Sequence, residues 1–154
     1  MSQATLMLDT NVLVDFLCKR EPRYEKTRLL MILGRLGCLV LWMHTSQFTV
    51  LIYILSEGGK QSKMESALER LRGVRSFIRV FPVSEREIDL ILSTSWNDPE
   101  DALIFESALA IKADAIVTNN KKDFENNLIK AIDCEQLFDW LSTDHHLTYT
   151  EIKI

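Results

Sequence analysis

Asp98-Pro99-Glu100-Asp101-Ala102-Leu103-Ile104, followed after a short interval by Asp114-Ala115-Ile116-Val117-Thr118-Asn119-Asn120-Lys121-Lys122-Asp123-Phe124, places an acid-capped apolar helix before a short apolar strand. Pro99 suits the first helical position, so Asp98 reads as an N-cap and Asp101 falls one turn in. Asn120 and Asp123 repeat that spacing beyond the strand, with Asn120 as the expected cap. Taken singly, each pair is accounted for by capping and the helix dipole. A third acid is harder to explain that way. Asp9 closes the apolar run Leu6-Met7-Leu8 and opens Thr10-Asn11-Val12-Leu13-Val14-Asp15-Phe16-Leu17, again where a strand gives way to a helix.

Working outward from these points, the chain alternates short apolar runs with longer periodic ones. Strands are expected over residues 5–8, 38–43, 77–81, 115–118 and 129–132, each apolar enough to be buried on both faces. Helices are expected near residues 10–18, 22–36, 46–55, 60–71, 85–95, 99–111 and 134–141; Leu29, Leu30, Leu33 and Leu36 share one face of the second. Gly58-Gly59 should end one helix before the next. This order predicts an α/β fold, a single three-layer α/β/α domain over residues 1–142 with a mainly parallel sheet of about five strands. Residues 143–154 read as a C-terminal tail, an edge strand or a dimer contact, and the adjacent His145 and His146 there as solvated.

In such a sheet, carboxylates at the carboxyl ends of neighbouring strands converge in one crevice. Asp9, Asp98, Asp101 and Asp123 are therefore expected together, with Asn120 beside them. Crowded carboxylates repel one another, and a dication relieves that repulsion. Hard oxygen donors suit Mg²⁺ or Mn²⁺, which lower the pKa of water and neutralise charge on a phosphoryl oxygen.

Composition narrows the setting. With 154 residues, 47% of them hydrophobic and 26% charged, the chain suits one globular domain. No apolar run approaches the roughly 20 residues needed to span a bilayer, and a signal-type start is absent, so a cytoplasmic protein is expected. Cys18, Cys38 and Cys134 are widely spaced in apolar surroundings and read as buried free thiols. The net charge of -4 gives no general attraction to nucleic acid. Residues 58–80, however, hold Lys60, Lys63, Arg70, Arg72, Arg75 and Arg79 against Glu65 and Glu69, which fits either a phosphate-guiding face or a solvated helix surface.

The segments Met7 to Asp15, Asp98 to Ile104 and Ala115 to Phe124 together resemble the motifs of PIN domains, the ribonuclease module common in bacterial VapC-type toxins. The likeness runs from about residue 5 to residue 141, in the family's order. It implies a Mg²⁺- or Mn²⁺-dependent endoribonuclease, the toxin of a toxin–antitoxin pair, that cleaves RNA phosphodiesters with metal-activated water. The implied partners are an RNA substrate, a small antitoxin protein and a second copy in a homodimer. By motif, Asp9 and Asp101 would be the metal ligands, and Asp98 and Asp123 would act with them. Asn11 would support the first turn or reach substrate, and Thr118 and Asn120 match the last strand-end motif.

The sequence departs from that pattern at two positions. The family commonly places a glutamate in the helix after the second strand where Ser46-Gln47-Phe48-Thr49-Val50-Leu51-Ile52 brings Ile52, and many members carry an acid at the position of Asn120. Glu57 lies further along on another helix face and does not substitute. The resemblance thus implies few anionic ligands and weak metal binding. The alternative reading is a degenerate PIN-like domain with little or no nuclease activity, serving as an RNA-binding or protein-interaction module.

Overall fold

The computed structural model describes residues 3–125 and 128–144. Its strands are β1 (Ala4–Leu8), β2 (Leu39–His44), β3 (Ile78–Phe81), β4 (Ala115–Val117) and β5 (Lys130–Ile132). They form a five-stranded sheet in the order β3-β2-β1-β4-β5, and every pairing is parallel. The chain winds outward from β1 through β2 to β3, then returns to the other side of β1 for β4 and β5. The boundary between β1 and β4 is thus the switch point at which an open α/β sheet presents its crevice.

Seven helices accompany the described strands: α1 (Thr10–Leu17), α2 (Tyr24–Arg35), α3 (Thr45–Leu55), α4 (Gln61–Arg75), α5 (Glu85–Leu92), α6 (Pro99–Ala110) and α7 (Cys134–Asp144). Period-two alternation sends Leu6, Leu8, Ala115 and Val117 into a large core shared with α1, α2, α3, α4 and α7. Met7 and Ile116, one residue out of phase, enter a second core with Ile104, Phe105 and Ala108 of α6. Both faces of the sheet are therefore covered, as an all-parallel sheet requires. At Gly34, α2 lies directly on β2, and a Cβ there would run into the Leu41 side chain.

The expected α/β architecture and strand count are those observed. Boundaries moved in informative ways. Helix α4 runs to Arg75 rather than 71. Helix α5 stops at Leu92, and the residues that follow, up to Asp98, are not helical. Gly58 and Gly59 adopt φ of +87° and +92°, a left-handed path open to glycine, and so turn the chain from α3 into α4. After β4, Lys121–Phe124 forms a single 3-10 turn; Asn120 precedes it, but its side chain makes no capping hydrogen bond. One expectation about thiols is corrected: only Cys134 is buried, Cys38 is half-buried and Cys18 is exposed, because Cys18 is the C-cap of α1, where the chain leaves the core. His145, His146 and most of the expected tail lie outside the described residues.

Candidate active site

The last strand residue before the first turn, Leu8, leads to Asp9, which is buried and caps α1 with its own side chain. Asp9 Oδ1 accepts from Thr10 N–H at 2.7 Å. Its second oxygen, Oδ2, accepts from the Thr118 hydroxyl at 2.7 Å, and its backbone N–H donates to Val117 C=O at 2.9 Å. Both oxygens are thus fixed beside the switch point, one by the first residue of α1 and the other by the residue that follows β4. Burial raises the Asp9 pKa; the Thr118 and Thr10 hydrogen bonds oppose the rise, and Glu100 and Asp123 add to it.

Helix α6 brings the second group of acids. Asp98 is its N-cap and accepts from Glu100 N–H at 2.9 Å, with Pro99 in the first turn. Asp101, half-buried, has its pKa pushed up to about 7, first by burial and then by the negative charges of Asp98, Asp9, Asp123 and Glu100. Mutual repulsion of that kind requires proximity. Asp98, Asp101 and Asp123 border one cleft of about 450 Å³ with Trp96, Asn97 and Lys122, and the charges of Asp9 and Glu100 reach Asp101 from beside it. Asn120 is exposed, and its backbone N–H donates to the Thr118 hydroxyl at 3.0 Å.

Several supporting groups had no role assigned from the sequence. Gln47, buried at the start of α3, donates to Leu8 C=O at 2.9 Å and to the Thr10 hydroxyl at 3.1 Å. Thr10 donates in turn to Glu100 Oε1 at 3.0 Å. A polar relay therefore runs from the turn after β2, through the turn after β1, to the first turn of α6, and holds Glu100 among the other acids. Asn119 makes a second bridge: its Nδ2 donates to Asp15 Oδ2 at 2.7 Å, and its backbone N–H donates to Asn11 Oδ1 at 3.4 Å. Asp15 is buried beside Val14 and Leu17. An acid in an otherwise apolar helix face was the available signal that it had a partner.

Ile52 does not join this group. It is half-buried against the larger core, whereas Gln47 is the residue by which α3 reaches the strand ends. The cationic segment is also largely engaged elsewhere. Arg70 turns inward and donates to Leu17 C=O at 3.0 Å and Leu55 C=O at 3.5 Å, Arg72 pairs with Glu69 and Glu65, and Arg79 stacks over Trp42. An apolar groove of about 390 Å³ between α2 and α4, with Leu17, Met31, Ile32 and Val74 among its walls and Lys19 and Arg28 beside them, is separate from the acids.

The donors are carboxylate oxygens, which suit a hard dication, and the repulsion that adds to burial in raising Asp9 and Asp101 is the kind such an ion relieves. Among the described residues no three His, Cys, Asp or Glu side chains converge as a complete ligand set. Two carboxylates with water completing the shell is the arrangement Mg²⁺ tolerates best.

The sequence profile of the PIN domain matches residues 5–122, and the chain belongs to the PIN domain family. Among solved structures, its fold is similar to that of DNA-bound VapBC from Salmonella typhimurium, with TM-score 0.65, 23% identity, and coverage of 86% of this chain and 99% of that one. VapBC2 from Rickettsia felis, bound to a promoter DNA fragment, aligns with TM-score 0.58 and 22% identity over 82% of this chain and 96% of that one. VapC20 of Mycobacterium tuberculosis, a toxin that cleaves the sarcin-ricin loop, aligns with TM-score 0.56 and 10% identity over 81% of this chain and 98% of that one. No curated protein matches the chain by sequence. Among the described residues, no helix is long and apolar enough to cross a membrane.

Proposed function

We propose that this PIN domain is a metal-dependent endoribonuclease and the toxin component of a toxin–antitoxin pair. The observation that carries the reading is the gathering of Asp98, Asp101 and Asp123 on one cleft, close enough to Asp9 and Glu100 for their charges to add to the burial that raises Asp101 to about 7. Folded proteins disperse such charge unless a site needs it. Asp9 and Asp101 would hold Mg²⁺ or Mn²⁺, which when bound supplies charge neutralisation at the phosphoryl group and activation of water. Thr118 and Thr10 N–H keep the Asp9 carboxylate oriented, the Gln47–Thr10 relay positions Glu100, and Asn119 fixes Asn11 and Asp15 on the adjoining turn. Lys122, on the cleft wall, offers the approaching phosphodiester a cation.

A protein partner is supported by the fold likeness to VapBC complexes and by the groove between α2 and α4, whose apolar floor and cationic borders suit an amphipathic acidic segment. The test of the enzymatic reading is cleavage of structured and single-stranded RNA with and without added Mg²⁺ or Mn²⁺, beside an Asp9→Asn control. Metal-dependent cleavage abolished by the substitution is expected. Absence of cleavage with retained RNA binding would favour a binding module, and cleavage undiminished in Asp9→Asn would show that the acids have another role.

A further inference from the structure

The acids account for one wall of the cleft; the opposite contribution is aromatic. After α5 ends at Leu92, the non-helical residues leading to Asp98 carry Trp96 to the cleft, two residues before the first acid of α6. The ring is half-buried. It packs against Phe105 of α6 at a centroid distance of 5.1 Å, tilted by 38°, and meets Phe124 of the 3-10 turn edge-on at 6.0 Å. Phe105 and Phe124 are themselves buried in the smaller core. Two buried rings therefore set the orientation of the indole, and Trp96 borders the cleft beside Asn97, Asp101 and Lys122.

Filling the smaller core does not require this residue to border a cluster of carboxylates; an aliphatic side chain would cover the same buried rings. A rigid aromatic surface next to a phosphodiester site has a specific use, because every nucleobase has a face that stacks on it. The neighbouring groups complete a nucleotide-sized subsite. Asn97, exposed, carries an amide donor and acceptor for a base edge. Lys122 supplies a cation for a phosphate, and the volume of about 450 Å³ is within the range of small-ligand sites.

We propose that Trp96 is the base-stacking platform of this site: it holds an unstacked base of single-stranded RNA beside the phosphate presented to the acids, and Asn97 contacts that base's edge. The proposal rests on the ribonuclease reading above. It also gives the substrate a form, since a base inside a continuous duplex has no free face to offer.

The experiment measures binding of a short single-stranded oligoribonucleotide, and of the same oligomer carrying abasic positions, in an Asp9→Asn background so that substrate is not consumed. Trp96→Leu keeps apolar contact with Phe105 and Phe124 but removes the stacking face; Trp96→Phe keeps a smaller one. Thermal melts establish that each variant is folded. Trp96→Leu is expected to weaken binding of the intact oligomer roughly tenfold or more, with Trp96→Phe close to the parent. The abasic oligomer should bind all three alike. Equal affinity of parent and Trp96→Leu for intact RNA would overturn the stacking platform alone, as would an equal loss on the abasic oligomer, which would mark a structural effect. Failure of the parent to bind any RNA would overturn the ribonuclease reading, and this inference with it.

Discussion

The Thr118 hydroxyl donates to Asp9 Oδ2 at 2.7 Å across the junction of two parallel strands, from a position 109 residues away in the chain. The same hydroxyl oxygen accepts from Asn120 N–H, so one fully buried side chain orients the acid of β1 and shapes the loop after β4.

Replacing Thr118 with Val should therefore cost about 1–3 kcal/mol, because a buried carboxylate and a backbone N–H each lose a partner. The bond lowers the Asp9 pKa, so it stabilises the ionised form. Denaturant melts should show a larger loss at pH 8 than at pH 4, and Thr118→Ser should retain most of the stability.

Asp101 yields a pH prediction of a different kind. Its carboxyl is raised from 3.8 to about 7 in the folded state. Its protonated form is the one folding favours, so its contribution is fully present below pH 3.8 and is lost as pH rises toward 7. Asp101→Asn should leave stability nearly unchanged at pH 4 and increase it at pH 8, by an amount on the order of 1 kcal/mol because solvent in the cleft screens the repulsion. Added Mg²⁺ should stabilise the parent at pH 8 and stabilise the variant less. Melting curves at two pH values, with and without the ion, check both parts.

His44 should produce the opposite slope. The residue is 1% exposed, neither of its ring nitrogens has a hydrogen-bond partner among the described residues, and burial holds its pKa down to about 4 from 6.5. The unfolded chain takes up a proton below pH 6.5 that the folded chain refuses until about pH 4, so stability falls across that window as pH falls. The loss amounts to at most about 3 kcal/mol. His44→Leu should abolish this component, measured as the parent-minus-variant difference in unfolding free energy from pH 7 to pH 4.

At position 52 the outcome follows from packing. Ile52 rests against the larger core, so Ile52→Glu should cost on the order of 2 kcal/mol by placing a carboxylate in apolar surroundings. Calorimetry should then find no gain in Mg²⁺ affinity. A gain without loss of stability would show that this part of α3 reaches the acids after all.

These residues also show where sequence reading succeeds and where it stops. The placement of Asp9, Asp98 and Asp101 at element starts was legible because Asp9 closes an apolar strand run and caps α1, while Asp98 and Pro99 open an apolar helix with Asp101 in its first turn. The strands were legible because Leu6-Met7-Leu8 and Ala115-Ile116-Val117 are apolar at consecutive positions, which only two-sided burial explains. Gln47, Asn119 and Glu100 act through partners 37, 104 and 90 positions distant, and no local spacing encodes such pairings. Arg70 shows the same limit in reverse: its charge suggested a solvent face, but its guanidinium is occupied by carbonyls at the ends of α1 and α3. Trp96 reads locally as one more core aromatic. Its place beside the acids depends on α5 ending at Leu92, a boundary the apolar periodicity overran.

The strand order has a temporal meaning as well. β1 is made first, yet one of its two neighbours is β4, so the first acid is synthesised long before the strand that will fix it. A nascent or prematurely terminated chain ending before Ala115 carries Asp9 without the Val117 carbonyl or the Thr118 hydroxyl that hold it. For a protein whose proposed target is RNA, this ordering is a form of latency: Asp9 stays without its two cross-strand partners until Val117 and Thr118 have been made.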